Sequence, residues 1–152
     1  QIEAGAQAIH IFDTWGGLLA PHDYERYILP YVKELINGLN RDGIPVIYFV
    51  KNGGTMLELV KEAGADVLGL DWNVNLGKAR DIIGPDIAVQ GNLDPTVLYA
   101  PKDHIEREVQ RILDENAGRP GFIFNLGHGI LPTVPPENAI HMVECVHRLS
   151  GK

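Results

Sequence analysis

Cysteine is almost absent from this chain of 152 residues, in which Cys145 is the only one. A single cysteine excludes an internal disulfide and any metal site built from several cysteines of the chain. Its position in the apolar stretch 141–149 predicts a buried structural thiol, because free cysteine packs as a small hydrophobic side chain. An unpaired thiol also suits a reducing compartment, so we expect a cytoplasmic protein.

Long apolar runs and an excess of basic residues are also missing. No run approaches the roughly 20 apolar residues of a membrane span, so we expect no membrane segment. Thirteen Lys and Arg stand against 20 Asp and Glu, which gives a formal net charge of −7. This balance argues against nucleic acid or an anionic membrane surface as a partner. The length and the 45% hydrophobic content fit one globular domain.

The chain does contain a repeated pattern: a short apolar run, a polar loop, an amphipathic segment and a turn. The predicted strands cover residues 8–12, 45–50, 67–70, 87–90 and 121–124. They are continuously apolar rather than alternating, which is typical of strands buried on both faces of a parallel sheet. The predicted helices cover residues 22–39, 56–63, 76–83, 102–117 and 136–149, and Pro30 should kink the first of them.

Five such units fit either an open doubly wound sheet or more than half of an eight-stranded barrel. A doubly wound nucleotide-binding sheet predicts a GxGxxG loop after its first strand. Here that loop reads Asp13-Thr14-Trp15-Gly16-Gly17. None of the five runs is polar enough to resemble an edge strand. The barrel is therefore modestly favoured.

Polar residues follow every predicted strand, where both architectures bind ligands. His128 is the strongest candidate, since it lies between Gly127 and Gly129, which let the backbone turn sharply, and imidazole can bind carboxylates or move protons near neutral pH. Thr14 offers a hydroxyl at another strand end. Other strand-end candidates have equally plausible structural roles as caps, loop residues or rim cover: Lys51, Asp71, Asp94, Trp15 and Trp72.

The remaining histidines are expected to serve in packing, capping or at the surface. His10 lies in the middle of a predicted strand, and His22, His104, His141 and His147 lie on helices or at their starts. No His, Cys and Asp set has metal-ligand spacing, and no Ser-His-Asp order is evident, so the sequence predicts no metal.

The strand-end loops resemble those of the uroporphyrinogen decarboxylase family, in its order and at its spacing across essentially the whole chain. The matching segments are Phe12-Asp13-Thr14-Trp15-Gly16-Gly17, Gly69-Leu70-Asp71-Trp72, Gln90-Gly91-Asn92-Leu93-Asp94-Pro95, Asn125-Leu126-Gly127-His128-Gly129-Ile130 and Pro135-Pro136-Glu137-Asn138. The resemblance implies a (βα)8 barrel of about twice this length. Residues 1–152 would then form the C-terminal half of a single barrel domain.

The resemblance also implies a function. The family removes carboxyl groups from the four acetate side chains of uroporphyrinogen III, without a metal or organic cofactor, to give coproporphyrinogen III in haem biosynthesis. Thr14 and His128 match its substrate-binding positions, and Phe12 matches an apolar residue that lines its cleft. The family's arginines, aspartate and tyrosine have no match here, so no catalytic residue is expected in this chain, and we expect the chain alone to be inactive. A homodimer is implied as well.

Two alternatives remain open. The related zinc-dependent methyltransferases, which act on corrinoid or thiol methyl acceptors, need His and Cys ligands. This chain has Gln90 where those enzymes more often carry a cysteine. The second alternative is a non-catalytic barrel that serves as a binding or scaffold module, against which the complete set of strand-end loops argues.

Overall fold

Five parallel strands form one sheet in the order β1-β2-β3-β4-β5 in the computed structural model, which describes residues 1–151. The strands are β1 (Ile9–Asp13), β2 (Val46–Val50), β3 (Val67–Gly69), β4 (Ala88–Leu93) and β5 (Phe122–Leu126). A doubly wound sheet reverses its strand order at a switch point, whereas this order runs in one direction throughout. Right-handed crossovers between successive parallel neighbours place all helices on one face, as in a (βα)8 barrel. The predicted fold class is confirmed.

Six α-helices connect and flank these strands. They are α1 (Pro21–Tyr27), α2 (Leu29–Gly38), α3 (Leu57–Lys61), α4 (Leu76–Ile83), α5 (Lys102–Asn116) and α6 (Pro136–Leu149), and three short 3-10 helices cover Gly16–Leu18, Gly53–Met56 and Pro95–Tyr99. Neighbouring helices pack against each other along the outside of the sheet, α3 on α4, α4 on α5 and α5 on α6. The core lies between this layer and the strands. Tyr48, Leu68 and Val89 of the sheet and Ile105 and Ile112 of α5 are fully buried there.

The predicted kink at Pro30 is a complete break. Helix α1 ends at Tyr27, Ile28 has a stretched φ of −114°, and α2 begins at Leu29. Pro30 therefore occupies the first turn of a new helix, where its missing N–H has no partner to lose. The helix predicted over residues 56–63 is shorter than expected: Met56 is the last residue of a 3-10 helix, and α3 covers Leu57–Lys61.

The expectation that all five strands are buried on both faces is wrong for the outer two. Phe12 of β1 is 67% exposed and Ile123 of β5 is 44% exposed, whereas β3 is buried throughout. These two strands form the edges of the described sheet, and their apolar side chains belong to its uncovered face. No helix within residues 1–151 combines the length and the apolar character that crossing a bilayer requires.

Candidate functional site

A cleft of about 570 Å³ lies at the carboxyl ends of the strands and brings the three predicted site residues together. Phe12 and Thr14 of the first strand-end loop line it, and so does His128 of the last one. This volume is in the range of ordinary small-molecule sites. Phe12 lies on the edge strand β1, and His128 follows the opposite edge strand β5. Both line the same cavity.

The strand register explains the floor of this cleft. Phe12 pairs with Phe49, Phe49 with Gly69, and Gly69 with Gln90, so these residues stand at one level across four strands. All four line the cavity. A methyl group at Gly69 would meet the side chain of Phe49 at 3.0 Å, so the glycine leaves room for the phenyl ring.

Asp13 shapes the loop that carries Thr14. Its Oδ1 accepts hydrogen bonds from the backbone N–H groups of Trp15 at 3.1 Å and Gly16 at 2.6 Å. Its Oδ2 accepts one from the Tyr48 hydroxyl at 3.3 Å. Tyr48 in turn hydrogen-bonds to the hydroxyl of Tyr24 on α1 at 2.9 Å, inside the core. A buried chain of hydroxyl groups therefore connects helix α1 to the loop that holds Thr14.

His128 is held between two aromatic side chains. Its ring centroid lies 6.1 Å from that of Phe49 and 6.4 Å from that of Trp72, both edge to face. A methyl group at Gly127 would meet the backbone nitrogen of Trp72 at 2.7 Å, so only glycine lets this loop approach the one after β3. Neither Gly127 nor Gly129 has a positive φ. The two glycines therefore do not supply the sharp turn that the sequence suggested; Gly127 supplies close contact.

Three cleft residues were missed as site candidates. His10 was expected to serve in packing, but it lines the cleft and stacks on Phe12 with ring centroids 3.9 Å apart. Burial lowers the pKa of His10, which favours the neutral imidazole. Gln90 and Asn125 also line the cavity. Alternate residues of a strand point to one face, and this period could have found His10, since it is two positions before Phe12.

Two carboxylates at the strand ends stabilise the surrounding loops through hydrogen bonds. The buried Asp71 accepts hydrogen bonds from the backbone N–H groups of Asn52 and Asn73. Asp94 caps the 3-10 helix that follows β4, through the N–H and the hydroxyl of Thr96. Neither residue is among those that line the cleft, and Lys51 is not among them either.

The cleft combines an apolar lining with a few polar side chains. Among the described residues that line it there is no Lys, Arg, Asp or Glu, and the polar ones are His10, Thr14, Gln90, Asn125 and His128. Imidazole, amide and hydroxyl groups can donate hydrogen bonds to anionic oxygens. The arrangement suits recognition of polar groups on a ligand that also has flat apolar surface, which Phe12 and Phe49 would contact.

Comparison with known proteins decides the family. The family profile described as "Uroporphyrinogen decarboxylase (URO-D)" matches residues 1–149. The chain belongs to the uroporphyrinogen decarboxylase family. The resemblance read from the strand-end loops is thereby confirmed.

Curated uroporphyrinogen decarboxylases match the chain over nearly its whole length. The protein from Geobacter metallireducens is 78% identical over 152 residues, which is 100% of this chain and 45% of that protein. The one from Trichlorobacter lovleyi is 73% identical with the same coverage, and the one from Pelobacter propionicus is 69% identical over 150 residues, 99% of this chain and 44% of that protein. The chain thus spans about half the length of the uroporphyrinogen decarboxylases that it matches.

A solved structure agrees with the fold of this uroporphyrinogen decarboxylase family member. A methyltransferase from Methanosarcina mazei superposes with a TM-score of 0.84 at 23% sequence identity, covering 97% of this chain and 43% of that one. At this identity the likeness shows a shared fold alone.

Proposed function

We propose that residues 1–152 form the C-terminal half of a single (βα)8 barrel domain of a uroporphyrinogen decarboxylase. The complete enzyme would be a carboxy-lyase that removes the four acetate carboxyl groups of uroporphyrinogen III to give coproporphyrinogen III, without metal or organic cofactor. Membership of the family supports this proposal, and the observation that carries it is the convergence of Phe12, Thr14 and His128 on one cleft.

Each of these residues has a role that its position supports. The Thr14 hydroxyl and the His128 imidazole would donate hydrogen bonds to substrate carboxylates or pyrrole substituents, from opposite sides of the cleft. Phe12, two-thirds exposed, would pack against a pyrrole ring of the tetrapyrrole. The ring of His128 is exposed to solvent beside Phe49 and Trp72, so a substrate group can reach it.

The charge of the reaction must be handled outside this chain. Loss of CO2 from a pyrrole acetate proceeds through a protonated, cationic ring, which the site has to stabilise while it holds several carboxylates. The described cleft residues include no Lys, Arg, Asp or Glu, and the chain carries a net charge of −7, which repels a substrate with eight carboxylates. We therefore expect the cationic and acidic groups to come from the remainder of a full-length enzyme, and the 152-residue chain to be inactive alone.

A chimera tests this proposal directly. Residues 1–152 replace the matched segment of the Geobacter metallireducens relative, and the carboxyl number of the porphyrins is followed by chromatography after oxidation. The chimera should convert uroporphyrinogen through to the four-carboxyl product, and the 152-residue chain should not. His128→Ala in the chimera should lower kcat/KM by about tenfold to a hundredfold, the loss of one to two charge-assisted hydrogen bonds. His147→Ala, on the exposed side of α6, is the matched control and should change nothing.

Three outcomes would overturn it. Turnover by the isolated chain would show that the segment is sufficient. Unchanged kinetics in the His128→Ala chimera would remove this residue from the site, and an inactive chimera would leave the non-catalytic barrel as the better account of the chain.

The zinc-dependent methyltransferase is the weaker candidate. Gln90 lines the cleft where those enzymes more often carry a cysteine, and Cys145 lies on α6 outside the cleft residues. The proposal also includes a homodimer that acts in the cytoplasm, as in the family that the loops resemble. Sedimentation of the chimera and fractionation of the source cells test these two points.

A further inference from the structure

Glu106, His141 and Cys145 bring three different ligand types together between α5 and α6. One side-chain ligand atom of each lies within 4.8 Å of the other two. His141 and Cys145 are four residues apart on α6 and so lie on one side of that helix, while Glu106 reaches across from α5. None of the three lines the cleft. Spacing along the sequence did not reveal this set because one member comes from another helix.

We propose that this cluster is a binding site for one zinc-class divalent cation, which would connect helix α5 to helix α6. The thiolate of Cys145, the Nε2 of His141 and a carboxylate oxygen of Glu106 are its ligands, and water completes a tetrahedral shell. A mixed sulfur, nitrogen and oxygen set is the combination that Zn²⁺ accepts and that Mg²⁺ and Ca²⁺ do not prefer.

The distances favour this assignment. Bonds of about 2.0 to 2.3 Å at a tetrahedral angle place the nitrogen and sulfur ligands of one zinc ion about 3.6 Å apart. The Nε2 of His141 lies 3.4 Å from the Sγ of Cys145, so this pair already has the separation that a shared ion needs. Because all three ligand atoms lie within 4.8 Å of one another, the glutamate oxygen needs to move by about 1.5 Å at most.

Arg148 holds the cluster together in the metal-free chain. Its Nη2 donates to Glu106 Oε2 at 3.0 Å and lies 3.6 Å from the Cys145 Sγ, so the guanidinium contacts two of the three ligands. A bound dication would repel this cation and displace it toward solvent, where more than half of the side chain is already exposed. Arg148 therefore competes with the metal, and this competition makes the affinity moderate.

Binding also changes two protons. The imidazole Nε2 of His141 lies 3.2 Å from the Lys102 carbonyl oxygen, so it carries its proton while it donates that hydrogen bond, and metal binding moves the proton to Nδ1. The Cys145 thiol loses its proton to solvent when the sulfur coordinates. Binding consequently releases one proton and should tighten as the pH rises.

Metal titration of the 152-residue chain tests the site and requires no enzyme activity. Reduced, metal-free protein is titrated with Zn²⁺ by calorimetry, and with Co²⁺ by absorbance, where a thiolate ligand gives a near-ultraviolet charge-transfer band. One equivalent should bind with this band present. Cys145→Ser should remove the band, and Glu106→Gln and His141→Gln should each weaken binding at least about tenfold. Arg148→Met should tighten it.

His147→Gln is the matched control, because this histidine is on the same helix but on its exposed side. It should bind like the unchanged chain. Cys145 is only 1% exposed, so the fold of Cys145→Ser is checked by circular dichroism. If that variant misfolds, Glu106→Gln and His141→Gln still test the site, because these two side chains are only half-buried. Three results would overturn the assignment. They are absence of stoichiometric binding, unchanged affinity in both Glu106→Gln and His141→Gln, and weaker binding in Arg148→Met. Each of these results leaves the proposed decarboxylase function untouched.

Discussion

The side-chain amide of Asn92 donates hydrogen bonds to two carbonyl oxygens of a neighbouring loop, to Asp71 at 2.9 Å and to Val74 at 2.7 Å. Asn92 is in β4, and the two acceptors lie in the loop after β3. A side chain of one strand therefore fixes the loop that follows the neighbouring strand. That loop carries Trp72, which packs against His128. The position of the candidate site residue thus depends on an amide that lies outside the cleft.

Replacing Asn92 by Leu should destabilise the chain by about 2 to 4 kcal/mol, because two carbonyl groups lose their donor in a buried environment. Urea unfolding followed by circular dichroism measures this difference. Asn73→Ala is the control: its side-chain amide makes only an exposed bond to Asn52, and its backbone N–H stays bonded to Asp71. The control should change the free energy of unfolding by less than about 0.5 kcal/mol. Equal effects of the two variants would contradict the role assigned to Asn92.

The pattern of apolar residues was sufficient to place the main elements of the fold. Helices α4 and α6 have the predicted bounds, and every predicted strand overlaps an observed one. Strand β4 continues to Leu93, three residues past the predicted end at Gln90, because polar Gln90 and Asn92 pair with Ile123 and Asn125 of β5. Backbone pairing is insensitive to side-chain polarity, so the apolar run ended before the strand did.

The site was only partly predictable. Thr14 and His128 could be placed at the cleft because strand-end loops in parallel sheets collect ligand-binding groups. The apolar run alone pointed to packing for His10, because which face of a strand is covered depends on the rest of the sheet. The two-residue period from Phe12, already a candidate, could have placed His10 on the cleft face. The contact between Gly127 and Trp72 joins loops that are distant in sequence, and sequence alone does not give that distance.

Removing the Tyr48 hydroxyl should cost about 1 to 2 kcal/mol of stability, because the buried Tyr24 hydroxyl loses its acceptor and Asp13 loses a donor. Tyr24→Phe and the double variant complete a cycle measured by urea unfolding. The sum of the stability losses in the two single variants should exceed the loss in the double variant, since the two hydroxyl groups interact with each other. Strict additivity would show that the hydrogen bond between them contributes nothing.

The same pair predicts a loss of stability at alkaline pH. The pKa of Tyr48 is raised mainly by burial and also by its hydrogen bond with Tyr24. Burial raises the pKa of Tyr24 as well. The folded chain therefore holds these protons more tightly than the unfolded chain. The resulting stabilisation is fully present below the ordinary tyrosine pKa of about 10 and is lost as the pH rises above it. Urea midpoints measured upward from pH 8 should fall above about pH 10, and Tyr48→Phe should flatten that fall. An equally steep fall in the variant would assign it to other groups.

The two glycines that flank His128 should respond differently to the same substitution. Alanine at position 127 would place its methyl group 2.7 Å from the Trp72 nitrogen and 3.0 Å from the Asp71 Cα, and backbone atoms cannot rotate away as a side chain can. A methyl group at Gly129 meets nothing within 4 Å. We expect Gly127→Ala to lower stability by about 1 to 3 kcal/mol and, in the chimera, to raise KM because the imidazole shifts. Gly129→Ala should leave the free energy of unfolding within about 0.5 kcal/mol and the KM unchanged. Equal stability and equal KM in the two variants would contradict this account. The loop would then accommodate a methyl group at position 127, and its close approach to Trp72 would not position His128.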